Sequence, residues 1–232
     1  MVKKQRRIIM ADYLIIKLQG SMQSWGGHTY EDYRPSHIFP TRSAIIGLLG
    51  ACLGIEREDI AKRESLNNSL IQLTVRADPR HLENKKAPLK MHKITDFHTV
   101  QNARKVDGAC RKDAIVSRRE YLCDAEFSLA MVFDKEQGYS LDEIKQAIQK
   151  PYYTPFLGRK SCPLQRPLYE ATVTADNAQT ALLEISPMQG TLYSEEVFAN
   201  SVPMEVRDIP MPTSVRQFST RTINILGDKN VS

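Results

Sequence analysis

The 232 residues carry 25% charged and 41% hydrophobic side chains, ordinary proportions for a soluble globular chain long enough to bury a full core. No apolar run approaches the roughly 18 residues needed to span a membrane, so a membrane partner is not expected. The net charge is +5, and positions 80–119 hold eleven Lys or Arg against four Asp or Glu while the first nine residues add +4, leaving −6 elsewhere. Charge concentrated in this way is the footprint of a nucleic-acid binder, with a solvated basic loop as the plain alternative. The N-terminus, MVKKQRRIIM, is basic but lacks the apolar stretch of a signal peptide, and Met10 is an alternative start to Met1. Cys52, Cys110, Cys123 and Cys162 show no C-x-x-C pair and no nearby histidine pairing. Reduced thiols in the cytoplasm are expected, with no metal site and no cofactor.

Residues 13–19 alternate, with Leu14, Ile16 and Leu18 on one face, and predict a strand. The connection at 20–39 is long and poor in aliphatics, and its QSWGG motif holds the sole tryptophan. Trp25 is either a plug at the core edge or a stacking surface for a base. Phe39 to Ile55, FPTRSAIIGLLGACLGI, predicts a helix over 41–53. Pro40 suits a first helical position, Thr41 and Ser43 suit a cap, and Gly54 suits the exit. Ile45, Leu48, Leu49 and Cys52 form the apolar stripe, and Gly47 and Gly50 predict another backbone packed close. Arg42 in the first turn opposes the helix dipole; it is either solvated or holds a phosphate beside free backbone donors.

A polar loop, EREDIAKRESLNNS, follows. Residues 70–76 predict a second strand with Ile71, Leu73 and Val75 on one face, ended by Asp78-Pro79. The basic segment at 80–119 has weak periodicity and predicts an insertion, partly ordered or ordered by a partner. Tyr121 to Phe133 alternates throughout and predicts one long strand. Ser140 and Glu143 form a capping box for a helix with Leu141, Ile144 and Ile148 inward, stopped by Lys150-Pro151. Residues 168–174 predict a fourth strand, and Asp176 a cap for a short helix through Leu183. The remainder reads as β-rich. The order β-α-β, insertion, β-α-β is the split βαβ plan of α+β, ferredoxin-like (RRM-like) domains. It divides into a basic tail at 1–11, the domain at 12–175 with its insertion at about 78–119, and an extension at 176–232. No strand carries the aromatic signature of a standard RNA-recognition domain, so RNA stacking on that sheet face is not expected. Between the second helix and the fourth strand, YTPFLGRKSCPLQRP places Gly158 beside Arg159, Lys160 and Ser161, a backbone-approach point with phosphate donors. RQFSTR sets two arginines around Phe218.

Seven blocks, QSWG, FPTRSAIIGLLGACLGI, DFHTV, REYLCDAEFSLAM, YTPFLGRKSCPL, YSEE and RQFSTR, run from about Tyr13 to Arg221. Together they resemble the CasD subunit family of type I-E Cascade, the CRISPR surveillance complex. The resemblance implies a RAMP-superfamily fold with a protruding thumb, matching the insertion, and a glycine loop, matching Gly158. It implies a non-catalytic scaffold in antiviral defence that grips the 5′ handle of CRISPR RNA (crRNA) and caps the backbone filament. Implied partners are crRNA, the Cascade backbone subunits and large subunit, and target DNA indirectly through base pairing. The RNA-contacting candidates are Gln23, Trp25, Arg34, Thr41, Arg42 and Ser43; His98, Arg104, Arg111 and Lys112; and Gly158, Arg159, Lys160 and Ser161. The alternative is a metal-independent endoribonuclease, its base and acid drawn from His28, His37, His92 or His98 with Tyr30 or Lys93.

Overall fold

The computed structural model of the chain describes residues 10–80, 91–105, 107–110, 113–213 and 217–227. Its first strand, β1 (Ala11–Gln19), is buried on both faces, with Leu14, Ile16 and Leu18 on one side and Tyr13 and Ile15 on the other. A strand buried on both sides needs cover above and below, so β1 lies between packed layers on both faces of its sheet. Residues 20–39 then form only two-residue strands: β2 (Met22–Gln23), β3 (Trp25–Gly26), β4 (Tyr33–Arg34) and β5 (Ser36–His37).

The helix α1 (Arg42–Leu53) is capped by Thr41, whose hydroxyl accepts from the Ala44 amide, and exits through Gly54 at φ 72°. Pro40 therefore precedes the cap instead of opening the helix. Its inner glycines also depart from expectation. A Cβ on Gly47 would meet nothing within 4 Å, and one on Gly50 would make ordinary contacts with Leu66 and Ile55. No close backbone requires them.

What reads as a polar loop contains α2 (Ile60–Ser69), capped by Asp59. Leu66 is the one large side chain that it buries fully, so no periodic stripe announces it. In β6 (Leu70–Ala77) a bulge between Leu70 and Gln72 turns Ile71 out to solvent, while Leu70, Leu73 and Val75 stay buried. The basic insertion is a β-ribbon: β7 (His92–Val100) pairs antiparallel with β8 (Ile115–Cys123), from His92 opposite Cys123 to Val100 opposite Ile115. The long alternation at 121–133 is two strands. Asp124, at φ 52°, breaks it, and the chain leaves the ribbon to enter the main sheet as β9 (Glu126–Phe133). The capping box opens α3 (Leu141–Gln149) as expected, burying Ile144 and Ile148. After β10 (Tyr169–Ala175), Asn177 and not Asp176 caps α4 (Ala178–Leu183). The strands β11 (Thr191–Ser194), β12 (Val202–Pro210) and β13 (Phe218–Leu226) complete the chain.

The main sheet runs β10-β1-β9-β6-β11-β13-β12, every neighbouring pair antiparallel. Its first four strands keep the order of the ferredoxin-like split βαβ, so the α+β class read from the sequence stands. The C-terminal strands add to the β6 edge of that same sheet. On one face α1 and α3 enclose the larger core, with Leu14, Ile45, Leu49, Leu129 and Ile144 at its centre. On the other, α4 lays Ala178, Ala181 and Leu182 over Tyr13, Ile15, Ala130 and Val173. RNA-recognition domains use that second face as a base-stacking platform; here α4 covers it.

Beneath α4 lies a buried ion pair, Arg76 Nε to Asp78 Oδ1 at 2.6 Å, with both side chains at most 2% exposed. Arg76 also donates to the Leu182 and Ile185 carbonyls, closing the C-terminal end of α4, and Ser128 Oγ donates to Asp78 at 2.6 Å. Removing the Asp78 charge leaves the guanidinium buried and unpaired. Asp78→Asn is expected to cost about 3–5 kcal/mol, read from the midpoint and slope of urea unfolding.

Candidate nucleic-acid interface

The N-terminus of α1 does present its amides to an anion, but the anion belongs to the protein. The Arg42 amide donates to Asp208 Oδ2 at 2.7 Å from β12. The Arg42 side chain, 9% exposed, pairs with Glu195 Oε1 at 2.8 Å and also donates to Asn67 Oδ1, Asn67 O and Leu70 O. Arg221, from the RQFSTR motif, reaches the same acids: Nε to Asp208 Oδ1 at 2.6 Å and Nη1 to Glu195 Oε1 at 2.6 Å. Desolvation of Arg221 opposes its charge, yet the paired carboxylates hold its pKa above the usual guanidinium value. Arg42 is therefore a structural pin, not a phosphate ligand. Thr41 is buried with it, and Ser43 lies half-buried with its Oγ 3.3 Å from Thr41 Oγ1. The structure speaks against the sequence reading of Arg42 as an RNA contact: polar partners 25 to 166 residues downstream fill the place that the local sequence leaves open.

Gln23 and Trp25 are also fully buried. Trp25 packs edge-on against Phe127 with ring centroids 6.5 Å apart, and Gln23 Nε2 donates to the Ala125 carbonyl at 2.6 Å. Of the two roles open to Trp25, the structure gives it the plug and withdraws the stacking surface. Together these residues form the floor on which the glycine loop rests. The Ser24 amide donates to the Leu157 carbonyl at 3.1 Å, and Gly158 holds φ 83° directly against the Ser24 carbonyl. Any side chain at 158 would run into that oxygen. Beyond the glycine, Arg159 stacks over the Tyr121 ring at 4.7 Å and donates to the Arg34 carbonyl at 3.2 Å, while Lys160 and Ser161 are exposed.

The short β4 pairs parallel with β8, setting Tyr33 beside Arg118 and Arg34 beside Arg119. The glycine loop and the ribbon root thus gather Arg34, Arg119, Arg159 and Lys160, while Arg118 points to the opposite face of the ribbon. Arg118 and Arg119 stood out in the sequence only as members of a basic run. Their partner strand is two residues long and some 85 positions away, so no local pattern signals the pairing. Side chains alternate along a strand, so the ribbon has two faces. Phe97, opposite Arg118, shares one face with Glu120 and Val116; Tyr121 and Arg119 share the other with Ile94, Asp96 and His98. Phe97 stands 64% exposed. His98 is half-buried opposite Ser117, with Nδ1 3.9 Å from Asp96 Oδ2. Arg104 is exposed near the ribbon tip, bridged to Cys110 and beyond the Val100–Ile115 pair, so it does not join the root cluster. Arg111 and Lys112 lie outside the described residues.

Of the residues named for the nuclease alternative, the structure sets His28 against Tyr30 and His37 within reach of the Lys93 charge, and separates His92 from His98. His92 and His98 share one strand about 20 Å apart, six residues at the strand rise. Lys93 is engaged by Glu120 at 2.8 Å, and burial holds His37 below the ordinary imidazole range. His28 meets Tyr30 edge-on at 4.7 Å. Among the described residues, no group of three or more His, Cys, Asp or Glu side chains is placed to hold a metal ion.

The family model for CRISPR-associated protein (Cas_Cas5) matches residues 13–224. The chain belongs to this family. It is 43% identical over 214 residues to the CRISPR system Cascade subunit CasD of Escherichia coli (strain K12), covering 91% of this chain and 94% of that protein. In fold it is similar to a solved chain of a CRISPR RNA-guided surveillance complex, with TM-score 0.68 at 24% identity, covering 93% of this chain and 90% of that one. A solved Cas protein matches with TM-score 0.58 at 25% identity, covering 94% and 96%.

Arg42→Ala separates the pin from a solvated cation. Loss of a dipole-opposing surface charge would leave stability level or slightly raised. Breaking the buried network is expected to cost about 3 kcal/mol, the low end for a buried pair because Arg221 still faces both carboxylates. A urea melt of the variant decides between them. Gly158→Ala is expected to cost more than about 1 kcal/mol, since the left-handed backbone and the Ser24 carbonyl both oppose a Cβ, with thermal melting as the measurement.

Proposed function

We propose that this chain is the crRNA-handle subunit of a type I-E Cascade-type surveillance complex, a non-catalytic scaffold in antiviral defence. It holds the 5′ handle at the root of the ribbon and caps the filament of backbone subunits. The observation that carries this reading is the gathering of Arg34, Arg119, Arg159 and Lys160 around the glycine loop, in a fold whose usual RNA-stacking face is covered. Membership of the Cas5 family and the 43% identity to a Cascade subunit support it. Arginines supply charge-assisted, bidentate donors to phosphate, and on the other face of the ribbon the exposed Phe97, opposite Arg118, offers an aromatic surface to an unstacked base. The ribbon beyond Val100, with Arg104, then follows the RNA or a neighbouring subunit. The backbone and large subunits are its protein partners, target DNA is met through the guide, and the work is done in the cytoplasm. No described helix is long and apolar enough to cross a membrane, and all four cysteines are free thiols.

The test is a salt titration of the purified chain against a labelled RNA of the repeat-derived handle sequence. Affinity is expected to fall with a log–log slope of about −0.7 for each phosphate neutralised, and Arg119→Ala or Lys160→Ala each to flatten the slope by about that amount. The RNA is expected to stay intact with and without EDTA. Specific cleavage lost in His92→Ala or His98→Ala would replace the scaffold with the endoribonuclease. A slope unchanged in both cation variants would move the RNA elsewhere on the molecule.

A further inference from the structure

Four strands meet at the carboxylate of Glu120, which is buried at 8% exposure. Glu120 itself belongs to β8. The Tyr33 hydroxyl of β4 donates to Oε1, the Ser36 amide of β5 donates to Oε2 at 2.8 Å, and Lys93 of β7 reaches Oε2 at 2.8 Å. Lys93 also donates to the Ser36 carbonyl at 2.8 Å, and Ser24 Oγ donates to the Glu120 carbonyl at 3.0 Å. Burial pushes the Glu120 carboxyl up, but Lys93, Tyr33 and the Ser36 amide outweigh it and hold the group below the usual carboxylate range. The carboxylate is therefore charged at neutral pH and grips its donors in that form.

The segment that Glu120 grips at both ends, Tyr33 to Ser36, contains Arg34. Pairing β4 with β8 sets Arg34 beside Arg119, and like charges at adjacent register repel. A two-residue strand has little hydrogen bonding of its own with which to oppose that repulsion. Arg159 then seats on the Arg34 carbonyl, so the position of β4 sets that of the glycine-loop arginine as well.

We propose that Glu120 is a positioning residue, holding Arg34 and Arg119 side by side as a preset clamp for RNA backbone phosphates. It acts through Tyr33 and Ser36 and does not touch the RNA. The clamp's contribution to affinity lies in preorganisation: two arginines fixed before the RNA arrives lose less freedom on binding it. The inference rests on the RNA-binding reading above and deepens it.

Charge alone makes the opposite forecast. Glu120 is an anion beside an RNA site, so neutralising it should tighten binding on Coulombic grounds; the positioning role requires that binding weaken. The probe is a fluorescein-labelled single-stranded RNA of the repeat-derived handle, titrated against the full chain at several salt concentrations well below each variant's melting temperature. Glu120→Gln is expected to lower affinity at least about tenfold, the loss of one charge-assisted contact. Its salt slope should be shallower by up to about 1.4, two single-strand phosphates. Tyr33→Phe, which changes no charge and carries the test should Glu120→Gln fail to fold, is expected to weaken binding in the same direction by a smaller factor. Arg34→Ala is expected to lower affinity in the wild-type background and to add little on top of Glu120→Gln. Tighter or unchanged binding by Glu120→Gln, or additive losses in the double variant, would overturn the positioning role and leave the RNA site standing. Failure of the wild-type chain to bind the RNA would remove both.

Discussion

Asp208 stands where a bound anion would otherwise sit, and the architecture depends on that substitution. By accepting from the Arg42 amide and pairing with Arg221, it ties the first turn of α1 to β12 and β13. Glu195, at the end of β11, closes the circuit through both arginines and accepts from the Leu73 amide of β6 at 2.9 Å. The added strands are thereby bonded to the helix that forms the main core, by charge as well as by their place in the sheet. Arg221 pairs with both acids and Arg42 with Glu195, so no charge in the cluster is left without a counter-charge, the condition under which buried ions are tolerated.

Covering both faces of the sheet has a functional price. Once α1 and α3 take one face and α4 the other, the domain has no open sheet on which to stack bases. Recognition must move to the ends of strands and to insertions. That displacement gives sense to the buried floor of Gln23, Ser24 and Trp25, the glycine loop laid on it, and the ribbon rooted beside both. Rigid parts buried under the surface set the positions of flexible arginines above it.

How far the sequence exposes this arrangement follows from the range of the interactions involved. Elements stabilised by near neighbours are legible: the Thr41 and Gly54 ends of α1, the Ser140–Glu143 capping box, and the alternation in β1, whereas the bulge in β6 takes Ile71 off the face that its alternation predicts. The helix α2 is not, because its stability comes from a cap and one buried leucine without periodic contrast. The break at Asp124 is hidden because alternation continues across it while the chain changes sheets. The glycine loop is legible as chemistry, since a glycine followed by Arg-Lys-Ser needs no long-range partner to be noticed. Arg42 misleads for the converse reason. A cation in a first turn is locally anomalous, and the anomaly is resolved by acids more than 150 residues away.

The two arginine-bearing junctions also differ in what their carboxylates do. At α1 the acids pair with the guanidiniums of Arg42 and Arg221, Asn67 and the Leu70 carbonyl take the remaining Arg42 donors, and the charges cancel inside the protein. At the ribbon root Glu120 binds Lys93, Tyr33 and the backbone beside Arg34, and takes no hydrogen bond from the neighbouring arginine heads. One network spends its charge on folding, whereas the other uses a single buried anion to hold like charges together at the surface. Like charges held close attract a polyanion more strongly than the same charges spread apart. The difference between the structural arginines of this chain and those proposed to meet RNA is therefore which group the nearest carboxylate grips: the guanidinium itself, or the backbone that carries it.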